Sequence, residues 1–536
     1  LDTHALPAPT YHTHHYQSPA TPTEEILADI YARILGLPDV STTDSFFDLG
    51  GDSLTAMRVI ATINLSLDAH LSVRHLFDAP SVRGLSQCLA DGLSFTSVHG
   101  LDGAELRASD LTLDKFIDAT TITAASTLPR PHDEVRTVLL TGATGFLGRY
   151  LALQWLERMG AVGGKVICLV RAESPERARR RLDNTFDSGD PQLLRHFQKL
   201  AADHLEVIAG DKGETNLGLD HETWQRLAET VDLIVDSAAV VNHVLPYSQL
   251  FGPNVVGTAE LIRIALTAKI KPYAFVSTAD VGRQIEASVF TEDADIRAIS
   301  PIRTSDSGYV SSKWAGEVLL REANDRCALP VTVFRCGMIL AHATHVGQLN
   351  VSDNFTRMLF SLLVTGIAPA SFYQLDADGN RQRAHFDGLP VEFVAEAIST
   401  LGASMVDGFE AYHVMNPHDD GIGFDEYVDW LIDAGHPIRR IDDFGEWLQR
   451  MEASLSALPE RQQRHSVLWR LPMHSPHSHH VQPEEPICGS LGPTDRFHAA
   501  VRDAKIGPNK DSPDIPHVSA PNIVKYVADL KLLGLL

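Results

Sequence analysis

The sequence predicts an α/β chain built on a doubly wound parallel sheet, with a small helical bundle before the sheet and a mainly helical lobe after it. Three observations carry this. Six short β-rich runs, TVLLT (137–141), KVICLV (165–170), LEVIA (205–209), DLIVD (232–236), YAFVS (273–277) and VTVFR (331–335), alternate with helix-length amphipathic stretches. Strands that read as continuous apolar runs between helices belong to a parallel sheet covered on both faces. The first run leads straight into GATGFLG and then the helical RYLALQWLERM, the strand–turn–helix opening of such sheets. Before residue 92 and beyond about residue 345 the apolar spacing is that of helices alone.

Length and composition bound the answer. A chain of 536 residues exceeds one compact core, so two to four domains are expected. Apolar residues at 44% and charged residues at 21% are ordinary for a folded globular protein. A net charge of -24 disfavours a nucleic-acid-binding surface, which needs clustered Lys and Arg. No apolar run reaches the roughly 20 residues that span a bilayer, and LDTHALPAPT lacks a signal-peptide core, so a cytoplasmic protein without membrane residence is expected. Cys88, Cys168, Cys327, Cys336 and Cys488 form no Cys-x-x-Cys pair, which fits reduced thiols and neither a disulfide framework nor a zinc site. The first residue is Leu1, which points to a piece of a longer polypeptide.

In chain order, residues 1–20 are rich in Pro, His and Thr and read as a linker, with His4, His12, His14 and His15 solvated. Residues 21–92 form the bundle. Thr23 is the expected N-cap, Glu24 and Glu25 occupy the first turn, and Ile26, Ile30 and Ile34 mark the apolar face. After the loop DVSTTDSFFDLGGDS come a second helix, with Leu54, Met57, Val59, Ile60 and Ile63, and the closing segment LFDAPSVRGLSQCLA. Residues 93–130 read as an interdomain linker with a short helix near LDKFI. The remainder, 131–536, divides into the sheet at about 131–340 and the lobe at about 341–536, where FDEYVDWLIDAG and FGEWLQRMEASL are helical. HSPHSHH (474–480) reads as solvated loop, and no metal site is expected.

Four places carry chemistry. In FFDLGGDSLTAMRVI, Ser53 falls at a helix N-terminus, where free N–H groups and the helix dipole stabilise an anionic phosphodiester. Spacing alone also fits a simple N-cap after a glycine loop. Gly142, Gly145 and Gly148 stand at three-residue intervals in the strand-to-helix turn, allowing a pyrophosphate to approach backbone N–H groups. The second strand ends in Arg171, with Arg181 ten residues on, where an NAD enzyme commonly has Asp or Glu. Guanidinium groups suit a 2′-phosphate, hence NADPH, although Arg179 to Arg181 also fit a solvated helix face. Tyr309 and Lys313 lie four apart on one helix face, where an ammonium lowers a phenol's pKa and readies it as a proton donor. Ser277 and Thr278 end the fifth strand at the ligand-binding edge. Asp280, two residues on, is a candidate for positioning substrate or nicotinamide, or a loop cap, while His243 reads as a partly buried structural histidine.

FFDLGGDSL resembles the phosphopantetheine attachment motif of acyl and peptidyl carrier proteins, which implies 4′-phosphopantetheine on Ser53. TGATGFLG, spaced G-x-x-G-x-x-G, resembles the extended short-chain dehydrogenases/reductases. That likeness implies that Thr144, Gly145, Phe146 and Leu147 line the pyrophosphate with Gly142 and Gly148, that Asp211 and Lys212 lie near the adenine, and that Ala238, Ala239 and Val240 pass under the cofactor. Asn254 in NVVGT matches the family's helix asparagine, or is a strand-bridging amide. Thr278 would polarise the carbonyl, Tyr309 would act as acid and Lys313 as its tuner, all three touching the cofactor.

Through FFDLGGDSL, LTLDKFID, TGATGFLGRYL, GTAELIRIALT and SSKWAGEVLLRE together, the chain is similar to the carrier-plus-thioester-reductase portion of bacterial carboxylic acid reductases. This implies a doubly wound parallel Rossmann sheet with a helical C-terminal substrate lobe, preceded by a helical-bundle carrier domain. It also implies NADPH-dependent reduction of a carrier-tethered acyl thioester to a free aldehyde. An upstream adenylation domain using ATP, and a phosphopantetheinyl transferase, are the expected partners. The alternative is a terminal reductase of nonribosomal peptide or polyketide assembly, or an aminoadipate-type reductase, carrying reduction on to the alcohol. A sugar-nucleotide epimerase shares the fold, but a carrier domain and Arg171 speak against it, and retention of Thr278, Tyr309 and Lys313 speaks against a non-catalytic scaffold. One departure is the short lead-in TSDSGYVSSKW before Tyr309.

Overall fold

The computed structural model describes residues 16–67, 69, 71, 73–91, 95–100, 105–131, 134–242, 244–282, 290–303, 307–468 and 482–536. These form two compact units: the chain up to Leu111 together with Val241–Val256 and Pro301–Ser312, and the remainder, Thr112–Val240, Gly257–Ser300 and Lys313–Leu536.

The first unit contains the bundle of α1 (Pro22–Leu35), α2 (Ser53–Leu67), α3 (Val73–Asp78) and α4 (Val82–Asp91). The cap of α1 is Thr21 and not Thr23: its Oγ1 accepts from the Glu24 amide at 3.2 Å. Pro22 sets this boundary, because it lacks an N–H and its fixed φ suits the first helical position. The buried stripe is also rotated by one residue from the expected face. Leu27, Ile30 and Tyr31 are buried, whereas Ile26 is 38% exposed. They pack with Phe46, Val59, Ile63, Leu76 and Leu85 in one core.

Where it is described, the stretch read as a linker forms short elements and carries its own apolar anchors. In the first unit a short helix, Phe95–His99, packs Phe95 edge-on to Tyr247 at 5.7 Å, and His99 Nε2 lies 3.2 Å from the Tyr247 hydroxyl. Glu105–Leu106 pairs antiparallel with Ile302–Arg303. In the second unit Leu113, Phe116 and Ile117 are buried, and the Pro129 carbonyl accepts from the Ile270 amide at 2.9 Å. Residues this apolar dock where they can bury surface, and Leu113–Lys115 within LDKFI forms a short helical turn.

The second unit is organised by seven parallel strands: β1 (Thr137–Thr141), β2 (Lys165–Val170), β3 (Leu205–Ala209), β4 (Leu233–Asp236), β5 (Tyr273–Thr278), β6 (Val331–Cys336) and β7 (Phe409–Val414). Their spatial order is β3-β2-β1-β4-β5-β6-β7. Chain direction across the sheet therefore reverses between β1 and β4, which opens the ligand crevice of doubly wound folds at the carboxyl ends of these strands.

Strand β7 and α9 (Val391–Ser404) lie inside the stretch 341–536 that the sequence reading assigns to the lobe, yet both return to the sheet. FEAYHV escapes detection because Glu410 and His413 interrupt its apolar residues, so it lacks the continuous apolar run of the inner strands. Helix α9 packs on α5 (Phe146–Val162). The main core runs through Leu140, Trp155, Phe186, Phe197, Phe334 and Ile398, and a separate one in the lobe joins Phe355, Tyr427, Trp447, Met451 and Tyr526. Among the described residues no helix is long and apolar enough to cross a membrane.

Candidate active site

The glycine turn is shaped so that only hydrogens fit. Gly142, just past β1, has φ +78°, and a Cβ there would lie 2.7 Å from Ser237 Oγ and 2.8 Å from the Ala238 nitrogen. A Cβ on Gly148 would overlap the Gly142 carbonyl. The Gly145 amide closes the turn on that carbonyl at 2.8 Å, and Gly145 is the N-cap of α5. No side chain caps this helix, so the amides of its first turn, from Phe146, Leu147 and Gly148, are available to an anion, with Thr144 half-buried beside them. These residues fit a dinucleotide pyrophosphate.

Beyond β2, Arg181 Nη1 donates to the Arg171 carbonyl at 2.7 Å, so α6 (Pro175–Phe186) brings its guanidinium to the strand end. Arg179 instead pairs with Asp183 at 2.9 Å on the helix surface. Of Arg179, Arg180 and Arg181, Arg181 is the one whose guanidinium bonds to the end of β2. Both Arg171 and Arg181 are exposed, as capture of a phosphate requires.

Lys212, which follows β3, turns its ammonium into the protein. Its Nζ is buried, 2.6 Å from Asp236 Oδ2, 3.1 Å from Thr258 Oγ1 and 3.3 Å from the Ala238 carbonyl. Asp236 also accepts from Thr141 Oγ1 at 2.7 Å and Tyr273 Oη at 2.8 Å. Burial pushes the Asp236 carboxyl up, but the charges of Lys212 and Lys313 outweigh it and hold it below the usual carboxylate range. The group joins β1, β4, β5 and α7 (Gly257–Ala265), and the Ala238 amide donates to Thr141 Oγ1 at 3.1 Å. Lys212 thus holds the carbonyl of Ala238, the first of the half-buried residues Ala238, Ala239 and Val240. Asp211 shapes the same loop, accepting from the Gly213 amide at 3.0 Å.

At the end of β5 two neighbouring hydroxyls part. Ser277 is buried and donates to Glu317, whereas Thr278 is half-buried and its Oγ1 accepts from the Asp280 amide at 3.3 Å. Lys313, in α8 (Gly308–Cys327), donates to the Val276 carbonyl at 2.7 Å and lies 4.6 Å over the Phe275 ring. The Lys313 ammonium is therefore held at the end of β5, on the carbonyl two residues before Thr278. Burial, with the Lys212 charge adding to it, depresses Lys313 from 10.5 to about 8.

Tyr309 belongs to the first unit and stands four residues before Lys313 in α8. Its carbonyl accepts from Ser312 Oγ at 2.7 Å, and Ser312 Oγ accepts from Asn254 Nδ2 at 2.8 Å. Asn254, in the π-helical turn Phe251–Val256, thus joins that turn to α8.

One acid was missed. Asp387 Oδ1 accepts from the Asn416 amide at 2.8 Å, and its carboxylate lies where a Cβ on Gly337, just past β6, would stand. Burial, with the Asp280 charge adding to it, pushes Asp387 up to about 7. The register pairs Cys336 with Thr278, so Asp387 reaches the same sheet edge. The sequence signal for it is Gly337, a glycine at a strand end where another chain segment approaches closely.

In the bundle, Asp52 is the cap of α2. Its Oδ1 accepts from the Thr55 amide and Thr55 Oγ1 accepts from the Asp52 amide, both at 2.8 Å. Ser53 is the first helical residue and is not needed for capping. A Cβ on Gly51 would overlap the Phe46 ring, which explains the glycine before the serine. The Ser53 side chain, His243, His4, His12, His14, His15 and the histidines of 474–480 lie outside the described residues. Among the described residues no cluster of three metal-ligating side chains occurs.

A glycine-turn Rossmann sheet with a strand-end threonine and a Tyr-x-x-x-Lys helix, in one chain with a Gly-Gly-Asp-Ser bundle, defines a dinucleotide-dependent reductase served by a carrier domain. Residues 140–398 match the family described as male sterility protein, and residues 25–89 match the phosphopantetheine attachment site family. The crystal structure of the reductase (R) domain of a nonribosomal peptide synthetase from Mycobacterium tuberculosis is 68% identical with a TM-score of 0.76, and the match covers 81% of this chain and 100% of that one. An isonitrile lipopeptide synthase from M. tuberculosis is 66% identical over 100% of this chain and 22% of its own length, and a carboxylic acid reductase from Mycobacterium marinum is 62% identical over 94% of this chain and 44% of its own. The chain belongs to the carrier-linked thioester reductase family, whose cofactors are a nicotinamide dinucleotide and phosphopantetheine. It spans less than half the length of these curated relatives.

Proposed function

We propose that the chain reduces an acyl thioester, presented on a phosphopantetheine arm at its own Ser53, to a free aldehyde with NADPH. The observation that carries this is the Lys313 ammonium bonded to the Val276 carbonyl in the strand that ends at Thr278, in the same sheet as the glycine cradle. Bound NADPH supplies the hydride. Thr278 Oγ1 donates a hydrogen bond to the thioester oxygen, and Tyr309 delivers its proton there as negative charge develops. The carbonyl carbon gains the hydride and the oxygen takes the proton; the C–S bond then breaks as the hydroxyl gives up that proton and the leaving sulfur takes one, releasing aldehyde and the thiol. Tyr309 and Lys313 face the same way because residues four apart on a helix do. The lysine charge stabilises the phenolate left behind.

Arg171 and Arg181 support NADPH over NADH. Arg171→Ala should raise the KM for NADPH by about 10- to 100-fold, the worth of one or two charge-assisted hydrogen bonds, and leave that for NADH nearly unchanged. Steady-state kinetics with both cofactors measures this. Because Lys313 titrates near 8, its charge is present below that pH and lost above it. Turnover should fall as pH rises through about 8, and a pH profile of kcat that stays flat to 10 would contradict that role for Lys313. Stability moves the other way. Between 8 and 10.5 the unfolded chain holds a proton on Lys313 that the folded chain does not, so this group's destabilisation is relieved as pH rises through that window.

The fuller protein supports two settings. Likeness to carboxylic acid reductases favours an upstream adenylation domain that loads a carboxylic acid, and likeness to an isonitrile lipopeptide synthase favours peptide assembly upstream. In both, a phosphopantetheinyl transferase modifies Ser53 and the reaction takes place in the cytoplasm. Incubating the chain with NADPH and a synthetic acyl thioester, and identifying aldehyde, alcohol or neither by mass spectrometry, tests the reductive reading.

A further inference from the structure

A buried hydrogen-bonded chain starts one residue before Thr278 and lies outside the chemistry described so far. Ser277 Oγ donates to Glu317 Oε1, and Arg335 donates to Glu317 Oε2 through Nε at 3.1 Å and Nη2 at 2.9 Å. Arg335 Nη1 lies 3.2 Å from His413 Nε2, and His413 Nδ1 lies 2.7 Å from the Pro493 carbonyl. A carbonyl only accepts, so Nδ1 carries the proton and Nε2 accepts from the arginine. Burial and the arginine charge hold His413 down to about 4, so it stays neutral and keeps this direction. Glu317, Arg335 and His413 are fully buried, and the Phe290 ring lies 4.6 Å from both Arg335 and His413. Two further charges face this group among the described residues: Lys313, whose charge interacts with Glu317, and Glu292, which accepts from the His413 amide at 2.9 Å and from the amides of Arg496 and Phe497 at the start of α10 (Asp495–Asp503).

The placement has a consequence. Ser277 adjoins Thr278 in β5, and Glu317 is one helical turn after Lys313 in α8, so the chain joins the strand and the helix beside both residues. Its far end reaches β6, β7 and the segment before α10. A buried ion pair adds little net stability over a well-packed apolar pair, and its directional bonds fix geometry.

We infer that Glu317, Arg335 and His413 are positioning residues for the reduction: their chain of hydrogen bonds sets Thr278 against Lys313 and ties that setting to the C-terminal segment at Pro493. This rests on the reading of Thr278 and Lys313 given above.

The test uses the whole chain with Ser277→Ala, Ser277→Thr and His413→Leu. It measures turnover with NADPH and a synthetic acyl thioester, the isotope effect with deuterated NADPH, and hydrogen–deuterium exchange over 276–280 without cofactor. Ser277→Ala should lower kcat about tenfold with KM unchanged, enlarge the isotope effect and speed exchange at Thr278 and Asp280. Ser277→Thr keeps the hydroxyl and should restore both readouts, and His413→Leu should lower kcat about fivefold. A folded Ser277→Ala variant with unchanged kcat and unchanged exchange overturns the inference. If that variant fails to fold, unchanged kcat and exchange in His413→Leu overturn it instead. An unmodified chain that never oxidises NADPH refutes the reductase reading, and the exchange data still decide whether the chain of bonds holds Thr278.

Discussion

Tyr309→Phe should lower kcat by about 10³-fold while NADPH binding changes less than about twofold, the loss typical for removal of a general acid. The substitution deletes one oxygen and keeps the ring, so helix α8 and the Ser312 hydroxyl that donates to the Tyr309 carbonyl are undisturbed. Lys313 keeps its bond to the Val276 carbonyl. Only the proton donor is gone, and developing charge on the thioester oxygen must be met by Thr278 alone. Cofactor fluorescence titration and stopped-flow NADPH oxidation separate binding from chemistry. A Phe variant that turns over like the unmodified chain refutes the role given to Tyr309.

Ser53→Ala should abolish reduction of any acyl group loaded onto the chain, and leave kcat/KM for a free synthetic thioester within about twofold. The first effect is complete because alanine has no oxygen on which to build the phosphodiester. The second follows because Asp52 and Thr55 cap α2, so helix formation does not depend on the serine. Loss of the tether removes a high effective concentration at the reductase and leaves the chemistry intact. Intact mass before and after treatment with a phosphopantetheinyl transferase, together with both assays, checks this. A variant still modified by the transferase would place the arm on another residue.

The parts of the fold legible in the sequence are those under the strictest local constraint. Inner parallel strands such as TVLLT and KVICLV are buried on both faces and so read as apolar runs, and Gly142 and Gly148 stand where no Cβ fits. FEAYHV is an edge strand and carries no such run. Lys212 follows a strand end as expected, but local sequence does not encode Asp236, whose buried charge draws the lysine inward. Asp387 and the Ser277–Glu317–Arg335–His413 chain are likewise products of long-range packing between residues dozens of positions apart. The segment around Phe95 and Leu113 reads as a connector because its apolar residues are few, yet Phe95, Val98, Leu106, Leu111, Leu113, Phe116 and Ile117 are all buried.

The central claim is that hydride from NADPH reaches a thioester carbon presented on the Ser53 arm. A single-turnover reaction tests it most directly: load the arm with one acyl group, add NADPH deuterated at the transferring position, and analyse the released product by mass spectrometry. The expected result is one NADPH oxidised per loaded arm and an aldehyde carrying one deuterium at its formyl carbon. Release of the free acid with no NADPH consumed, or of an aldehyde without the label, would contradict the claim.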